Sequence, residues 1–354
     1  MEKKPKVLVI ATSRKTRGGI TSVVKSHEKG NQWKNYHCKW IETHRDGSFI
    51  IKIWYLCKSL ITYTILLPFY QLTHIHVGLK ASVKRKMIFA TLAKWANKPI
   101  IIHFHPATEK HLFDKKHSES IYKLFMLADK LIVLSEQWIR WINKAYPDNN
   151  FNFQVLYNPC PQVIRSVKKV KPYILFAGTL NERKGYNRLL SAFAQIGPRN
   201  PEWRIKFAGN GEIEKAKKIA EDLNIESQVD FLGWVSGSEK DKVFSQASIY
   251  CLPSWGEGFP MGVLDAIAYG IPVITTPVGG IPDLIKNGEN GYIFDTYNTE
   301  MLVEQLFVLM ESQESRMAIV READKLMKNE FNLQIINHQL SLIYEGVING
   351  KLKR

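Results

Sequence analysis

The chain has 354 residues, 45% hydrophobic and 23% charged. That composition excludes a disordered or fibrous protein, and the length exceeds one ordinary core and fits two domains. Four scattered cysteines with no CxxC pair exclude a disulfide framework and offer no zinc spacing, so a reduced, cytoplasmic compartment is expected. The net charge of +16 lies wholly in residues 1–157, with 26 Lys+Arg against 10 Asp+Glu, whereas residues 158–354 hold 23 of each. Such asymmetry predicts that the first half meets a polyanion: nucleic acid, anionic lipid or a diphosphate-bearing acceptor.

In chain order, the apolar run 7–11 predicts a first buried strand. It soon meets Arg14, Lys15 and Arg17, which argues against a signal peptide. Arg17-Gly18-Gly19 follows that strand. Segment 49–72 is unusually apolar but is interrupted by Lys52, Lys58 and Pro68. It falls short of the roughly 20 uninterrupted residues of a spanning helix, so a core helix is the expectation. The alternative is a helix dipping into a membrane interface, with Trp54 and Tyr55 at headgroup level. Lys80, Lys84, Arg85 and Lys86 cluster just after a strand end, and further strands are expected at 100–103 and 131–134. Nine of the ten histidines lie in the first half. His74/His76 and His103/His105 form i,i+2 pairs, but no third ligand stands at a matching spacing, so no metal site is expected. Around 157–171, Asn158, Pro159, Pro161 and a basic run mark a domain boundary, and 158–171 is expected to act as a hinge.

Beyond it, strands are predicted at 173–177, 205–208, 229–232, 249–252 and 273–275. Amphipathic helices at 186–196, 213–223 and 299–309 lie between or after them. This alternation indicates parallel α/β architecture. An apolar helical period over 331–350 outlasts the second domain and is expected to cross back to the first. The resulting division is 1–157, 158–330 and 331–354.

Several strand ends carry candidate chemistry. After 173–177, Arg183 and Lys184 precede a helix and could neutralise a diphosphate. Gly209 and Gly211 form a tight turn that could let backbone approach a ligand. They fail as a dinucleotide fingerprint because position 214 is Glu. Val235 follows a strand end where backbone groups could read a base edge. The run 255–266 places Glu257 in a glycine-bracketed loop and Asp265 eight residues on, inside a helix. The amides of Phe259, Met261 and Gly262 sit where that helix begins, and unpartnered amides with a helix dipole favour a phosphate. Two carboxylates flanking a phosphate cradle suit a ligand with both hydroxyls and phosphates.

These signals occur in an order that resembles glycosyltransferase family 4: Arg17-Gly18-Gly19, His105, Ala128-Asp129, Ser135-Glu136, Asn158-Pro159, Lys184-Gly185, Gly209-Asn210-Gly211, Gly233, Glu257 to Asp265, and Gly279-Gly280. The resemblance covers nearly the whole chain. It implies an α/β GT-B fold, two Rossmann-like domains with parallel sheets facing a central cleft. It also implies retaining transfer from a nucleotide-sugar, UDP- or GDP-linked, without metal or other cofactor. It gives Gly18 and Gly19 an approach to donor phosphates or acceptor, His105 a place near the transferred sugar, Lys184 the diphosphate, Glu257 the sugar hydroxyls and Asp265 the ribose diol. Two departures stand out. Asp265 replaces the usual Glu, and Thr179 stands where the family often has Arg, with Arg183 the candidate to supply the missing charge.

The basic first half beside the apolar 49–72 segment points to the cytoplasmic face of a membrane and a lipid-linked saccharide acceptor in surface-polysaccharide assembly; the competing reading is a soluble oligosaccharide acceptor, with the charge serving only solubility. Three other classes compete. A dehydrogenase needs a GxGxxG that is missing. A nucleic-acid-binding protein has the charge in its favour but no recognition motif, so no specific nucleic acid is expected. A catalytically silent relative acting as a partner subunit is left open by Thr179 and Asp265.

Overall fold

The computed structural model describes residues 5–165 and 170–352. The chain forms two compact units, Met1–Pro159 with Phe331–Arg354, and Cys160–Glu330. Of the expected hinge, residues 166–169 lie outside the described residues.

The first unit is built on a six-stranded sheet of β1 (Val7–Ala11), β2 (Lys39–Glu42), β3 (Leu72–Val77), β4 (Ile100–Phe104), β5 (Lys130–Val133) and β6 (Phe153–Val155). Its order is β2-β1-β3-β4-β5-β6, and every pairing is parallel. Strands buried on both faces need mostly apolar side chains, which is why β1 reads as a continuous apolar run and β4 as one interrupted only at His103. The C-terminal helix Leu333–Leu352 completes this core, with Ile336, Leu340, Tyr344 and Val347 packed among Val7, Val9, Val24, Ile101 and Ile132.

The second unit carries β7 (Lys171–Ala177), β8 (Arg204–Ala208), β9 (Val229–Phe231), β10 (Ala247–Leu252), β11 (Val273–Thr275) and β12 (Tyr292–Ile293). Their order is β12-β11-β10-β7-β8-β9, again parallel throughout. This is the doubly wound order in which the direction of winding reverses between the first and fourth strands, here β7 and β10. The two units define the GT-B fold.

Two expectations about segment 49–72 are corrected. It folds as the helix Phe49–Leu66 with a short 3-10 turn to Phe69, and its only fully buried helical residues are Ser59 and Tyr63. It is therefore a surface helix, because its apolar residues go all the way round and most have no neighbour to pack on. At 21 residues, Phe49–Phe69 is also long and apolar enough to cross a membrane by length and composition. The two lysines interrupt the run without lowering its average below that of a spanning segment. The basic cluster needs revision as well. Lys86 is fully buried, donates to Thr43 Oγ1 at 2.6 Å, and burial pushes its pKa well below the ordinary lysine value. It faces the core and cannot meet a partner.

Candidate functional site

Ligands in doubly wound sheets bind beyond the carboxyl ends of the strands where the winding reverses. In the second unit that point lies between β7 and β10, and the loops leaving those two strands carry the charged residues singled out above.

After β7, Asn181 caps a single 3-10 turn, Glu182–Lys184, its side chain accepting from the Lys184 amide at 3.0 Å. Gly185 then adopts φ +71°, and a Cβ there would lie 2.0 Å from the Pro253 carbonyl oxygen of the facing loop. The tight turn throws Lys184 back across Gly178. Its Nζ reaches Glu257 Oε1 at 2.7 Å, while Arg183 Nη1 stands 3.4 Å from the same oxygen and donates to the Gly256 carbonyl. Ser254 Oγ completes the set at 2.8 Å. Glu257 is 6% exposed. Burial acts to raise its pKa, but the charges of Lys184 and Arg183 and the hydrogen bonds from Lys184 and Ser254 outweigh it, leaving the carboxyl below its ordinary value. Glu257 is thus a buried carboxylate held ionised beside two cations.

The helix Met261–Ala268 starts at Pro260 and has neither a side-chain cap nor an acidic residue in its first turn. Its amino end therefore keeps its positive field. Gly262 lets that end lie against the strands: a Cβ there would come within 2.3 Å of the Tyr250 hydroxyl, which donates to the Ala177 carbonyl. Phe259 is buried just before the turn. Asp265, one turn into the helix, pairs with Lys240 Nζ at 2.7 Å, and burial raises its pKa against the opposing pull of that lysine. Lys184, Arg183, Glu257 and the Met261–Gly262 turn thus meet around one strand end.

Loop packing accounts for the other glycines. A Cβ on Gly209 would lie 1.8 Å from the Gly178 carbonyl oxygen, and one on Gly211 2.2 Å from that of Leu180. The loops after β7 and β8 cross backbone to backbone, tied by Leu180 N to Asn210 O at 2.8 Å and Glu212 N to Leu180 O at 2.9 Å. Val235 is buried after β9, just before the helix Gly237–Ser245. Gly279 plays a similar part, since a Cβ there would strike the Glu257 carbonyl oxygen at 2.0 Å.

The first unit holds the remaining candidates. Gly18, at φ +145°, precedes the helix Gly19–Glu28, and both glycines face open space. His105 follows β4, and its Nε2 lies 2.9 Å from His76 Nδ1. Burial and the neighbouring His27 push its pKa down to about 3, so it is a neutral imidazole. No third partner for the histidine pairs is visible in the spacing, but the sheet supplies one. In the β3/β4 register His76 lies beside His103, and one ring nitrogen each of His74, His76 and His103 falls within 4.8 Å of the others. Three neutral imidazoles can ligate a dication. Here all three are buried, no carboxylate or thiolate belongs to the group, and His74 Nδ1 is already bound to the Tyr344 hydroxyl at 2.8 Å.

Sequence reading missed Ser254, Lys240 and Arg188. Arg188 is buried under the 253–257 loop, donating to the carbonyls of Pro253 and Thr296 and lying 4.4 Å from the Trp255 ring. It reads as an ordinary helix cation. Asn181 was legible as a cap three residues before Lys184.

Residues 163–326, nearly the whole second unit, match the family model described as Glycosyl transferases group 1. An uncharacterized glycosyltransferase of Haemophilus influenzae is 28% identical over 61% of this chain and 61% of its own length. The putative colanic acid biosynthesis glycosyltransferase WcaL of Escherichia coli is 25% identical over 49% of this chain and 45% of that protein. The D-inositol 3-phosphate glycosyltransferase of Corynebacterium glutamicum is 29% identical over 49% and 43%. The chain spans about half the length of the curated relatives it matches. Among solved structures, Anabaena HepE in complex with UDP and glucose superposes with a TM-score of 0.76 at 17% identity, covering 97% of this chain and 100% of that one. Sucrose-phosphate synthase of Thermosynechococcus elongatus gives 0.80 at 14%, covering 98% and 100%. These structural likenesses establish the fold, and the family match and relatives' names agree on one class, the glycosyltransferases.

Proposed function

We propose that the protein moves a sugar from a nucleotide-sugar, UDP- or GDP-linked, to a hydroxyl of a lipid-linked saccharide in surface-polysaccharide assembly, with retention and without metal. The observation that carries this reading is the buried Glu257 carboxylate held beside Lys184 and Arg183 at the winding reversal. A leaving diphosphate takes on one further negative charge as the glycosidic bond breaks, and cations with unneutralised helix amides stabilise it where it forms. Lys184 and Arg183 supply that charge from the protein, and Arg183 takes the part that Thr179 cannot. Glu257, fully ionised, is suited to accept hydrogen bonds from the sugar hydroxyls and fix the ring.

In the reaction, the bond between the anomeric carbon and the phosphate oxygen breaks while the acceptor oxygen bonds to the same face of that carbon. The acceptor's proton passes to the departing phosphate oxygen, and the nucleoside diphosphate leaves. No protein nucleophile is required. Support for a nucleotide donor comes from the UDP in the HepE structures. Support for a polysaccharide setting comes from the names of WcaL and of WaaG, a lipopolysaccharide glycosyltransferase whose structure gives a TM-score of 0.70 at 16% identity. The charge excess of the first half supports an anionic acceptor at the cytoplasmic leaflet.

A thermal-shift panel of nucleoside diphosphates followed by turnover of the matching nucleotide-sugar tests the reading. A ligand bound at a hundred times its Kd stabilises by about 2.7 kcal/mol, enough to raise the melting temperature by several degrees. Stabilisation by one diphosphate and release of that diphosphate from its sugar conjugate are expected. Indifference to the whole panel overturns the proposal.

A further inference from the structure

The Phe49–Leu66 helix is left on the surface without the polar outer face that water requires. Phe49, Ile50, Trp54, Ile61, Ile65 and Phe69 are all exposed, Ile50 at 78% and Trp54 at 63%. Trp95, at the end of the Ala81–Trp95 helix, is 80% exposed, and Lys98 just beyond donates to the Pro68 carbonyl at 3.2 Å, tying that corner to the end of the apolar segment. An apolar patch of this extent on a soluble protein marks an interaction surface.

Charge names the occupant. From residue 47 to residue 108 the sequence contains not one Asp or Glu and, besides the buried Lys86, seven Lys and Arg. Two copies of this chain meeting through the patch would bring the same positive surface against itself. An anionic leaflet offers the opposite charge together with hydrocarbon, and tryptophans favour the interface between them.

Topology decides how the helix sits. It connects β2 to β3, which flank β1 in one parallel sheet. A helix crossing the bilayer would put β2 and β3 on opposite sides of the membrane and break that sheet. Tyr63 also fastens the helix along its length, its hydroxyl 3.0 Å from Thr73 Oγ1 and 3.2 Å from the Phe89 carbonyl oxygen, its ring edge-on to Phe89.

We propose that Phe49–Phe69 is an in-plane membrane anchor that lays its outer face into an anionic phospholipid leaflet while Tyr63 holds its inner face to the sheet. This deepens the reading of a lipid-linked acceptor by naming the element that brings the first unit to the lipid. Binding occurs through apolar burial as well as charge, so salt weakens it without abolishing it.

Cys57 provides the probe, because it is exposed on this helix while Cys160 and Cys251 are buried, and Cys38→Ser removes the remaining accessible thiol. The full chain labelled at Cys57 with an environment-sensitive dye is mixed with phosphatidylglycerol-containing vesicles or with neutral phosphatidylcholine vesicles. Expected are a blue shift on anionic vesicles, stronger quenching by nitroxides near the headgroup than near the bilayer centre, and at least a tenfold loss of partitioning in the Trp54→Ser/Ile61→Ser variant with its circular dichroism unchanged. No spectral change on either vesicle, or strongest quenching at the centre, overturns the proposal. So does a label already shielded in buffer by a dimer that Ile61→Ser dissociates. Vesicle binding without sugar transfer leaves the anchor standing and removes the transfer reading, whereas transfer to a soluble acceptor without vesicle binding does the reverse.

Discussion

At the residue scale, Lys184 and Glu257 are counter-ions as well as the proposed donor contacts, so removing Lys184 leaves Glu257 buried with only Arg183 and Ser254, and neutralising Glu257 takes the carboxylate away from Lys184. Losing one well-placed group on a developing charge typically costs a hundredfold or more in rate. Lys184→Ala and Glu257→Gln are therefore expected to reduce turnover by about that factor, measured as nucleoside diphosphate released. Near-normal rates in either variant would move the site elsewhere. The glycines divide into two kinds, and stability measurements separate them. Gly209→Ala drives a Cβ onto the Gly178 carbonyl and should cost about 1–3 kcal/mol or more in a denaturant titration. Gly19→Ala meets nothing within 4 Å and should leave the denaturation midpoint almost unchanged.

At the scale of elements, β3, β4 and the residue following β4 place four histidines in one buried neighbourhood, and His27 enters it from the Gly19–Glu28 helix. Burial pushes His27 down to about 4 and His105 to about 3, and holds His74, His76 and His103 well below the ordinary value. The folded chain thus binds fewer protons than the unfolded one at acid pH. These groups cost nothing above their unfolded pKa near 6.5, and stability falls as pH drops below it, by up to about 1.4 kcal/mol per pH unit for each histidine. Urea midpoints measured from pH 7.5 to 5 should fall below about pH 6.5, and His103→Leu should flatten the slope. A midpoint independent of pH over that range would contradict the buried cluster.

The same strands show what the sequence could and could not disclose. β1 was legible as a continuous apolar run and β4 as three successive isoleucines, short β-branched runs that fit a buried parallel strand. The sequence does not delimit β3 in the same way. Two histidines break its apolar pattern, and His74 finds its hydrogen-bond partner in Tyr344, which lies 270 residues away in the chain. The Lys184 turn was readable from local chemistry, since Asn181, Lys184 and Gly185 sit within five residues. Lys240 was not, because it meets Asp265 across the packing of two helices, which no local period encodes, and Ser254, only three residues before Glu257, meets it through the conformation of an irregular loop. The apolar helix misled for the opposite reason. Composition alone asks for burial, and only the fold shows that none of the described residues covers its outer face.

At the scale of the whole molecule, the second unit is inserted into the first between β6 and the Leu333–Leu352 helix. That helix fills the first unit's core, so a chain ending at Glu330 should fail to hold that unit. Limited proteolysis of it is expected to degrade residues before 160 while a fragment close to 160–330 survives. Equal resistance of both parts would show that the helix only decorates the surface. The insertion also sets an order of events during synthesis. Residues 1–159 leave the ribosome first, yet their core closes last, after roughly ten to thirty seconds of further elongation through the inserted unit. For that interval Val7, Ile101 and Ile132 wait beside an uncovered apolar helix. The nascent chain is then at its most adhesive before either unit is finished, and the place where it is translated bears on its fate as much as its final stability does.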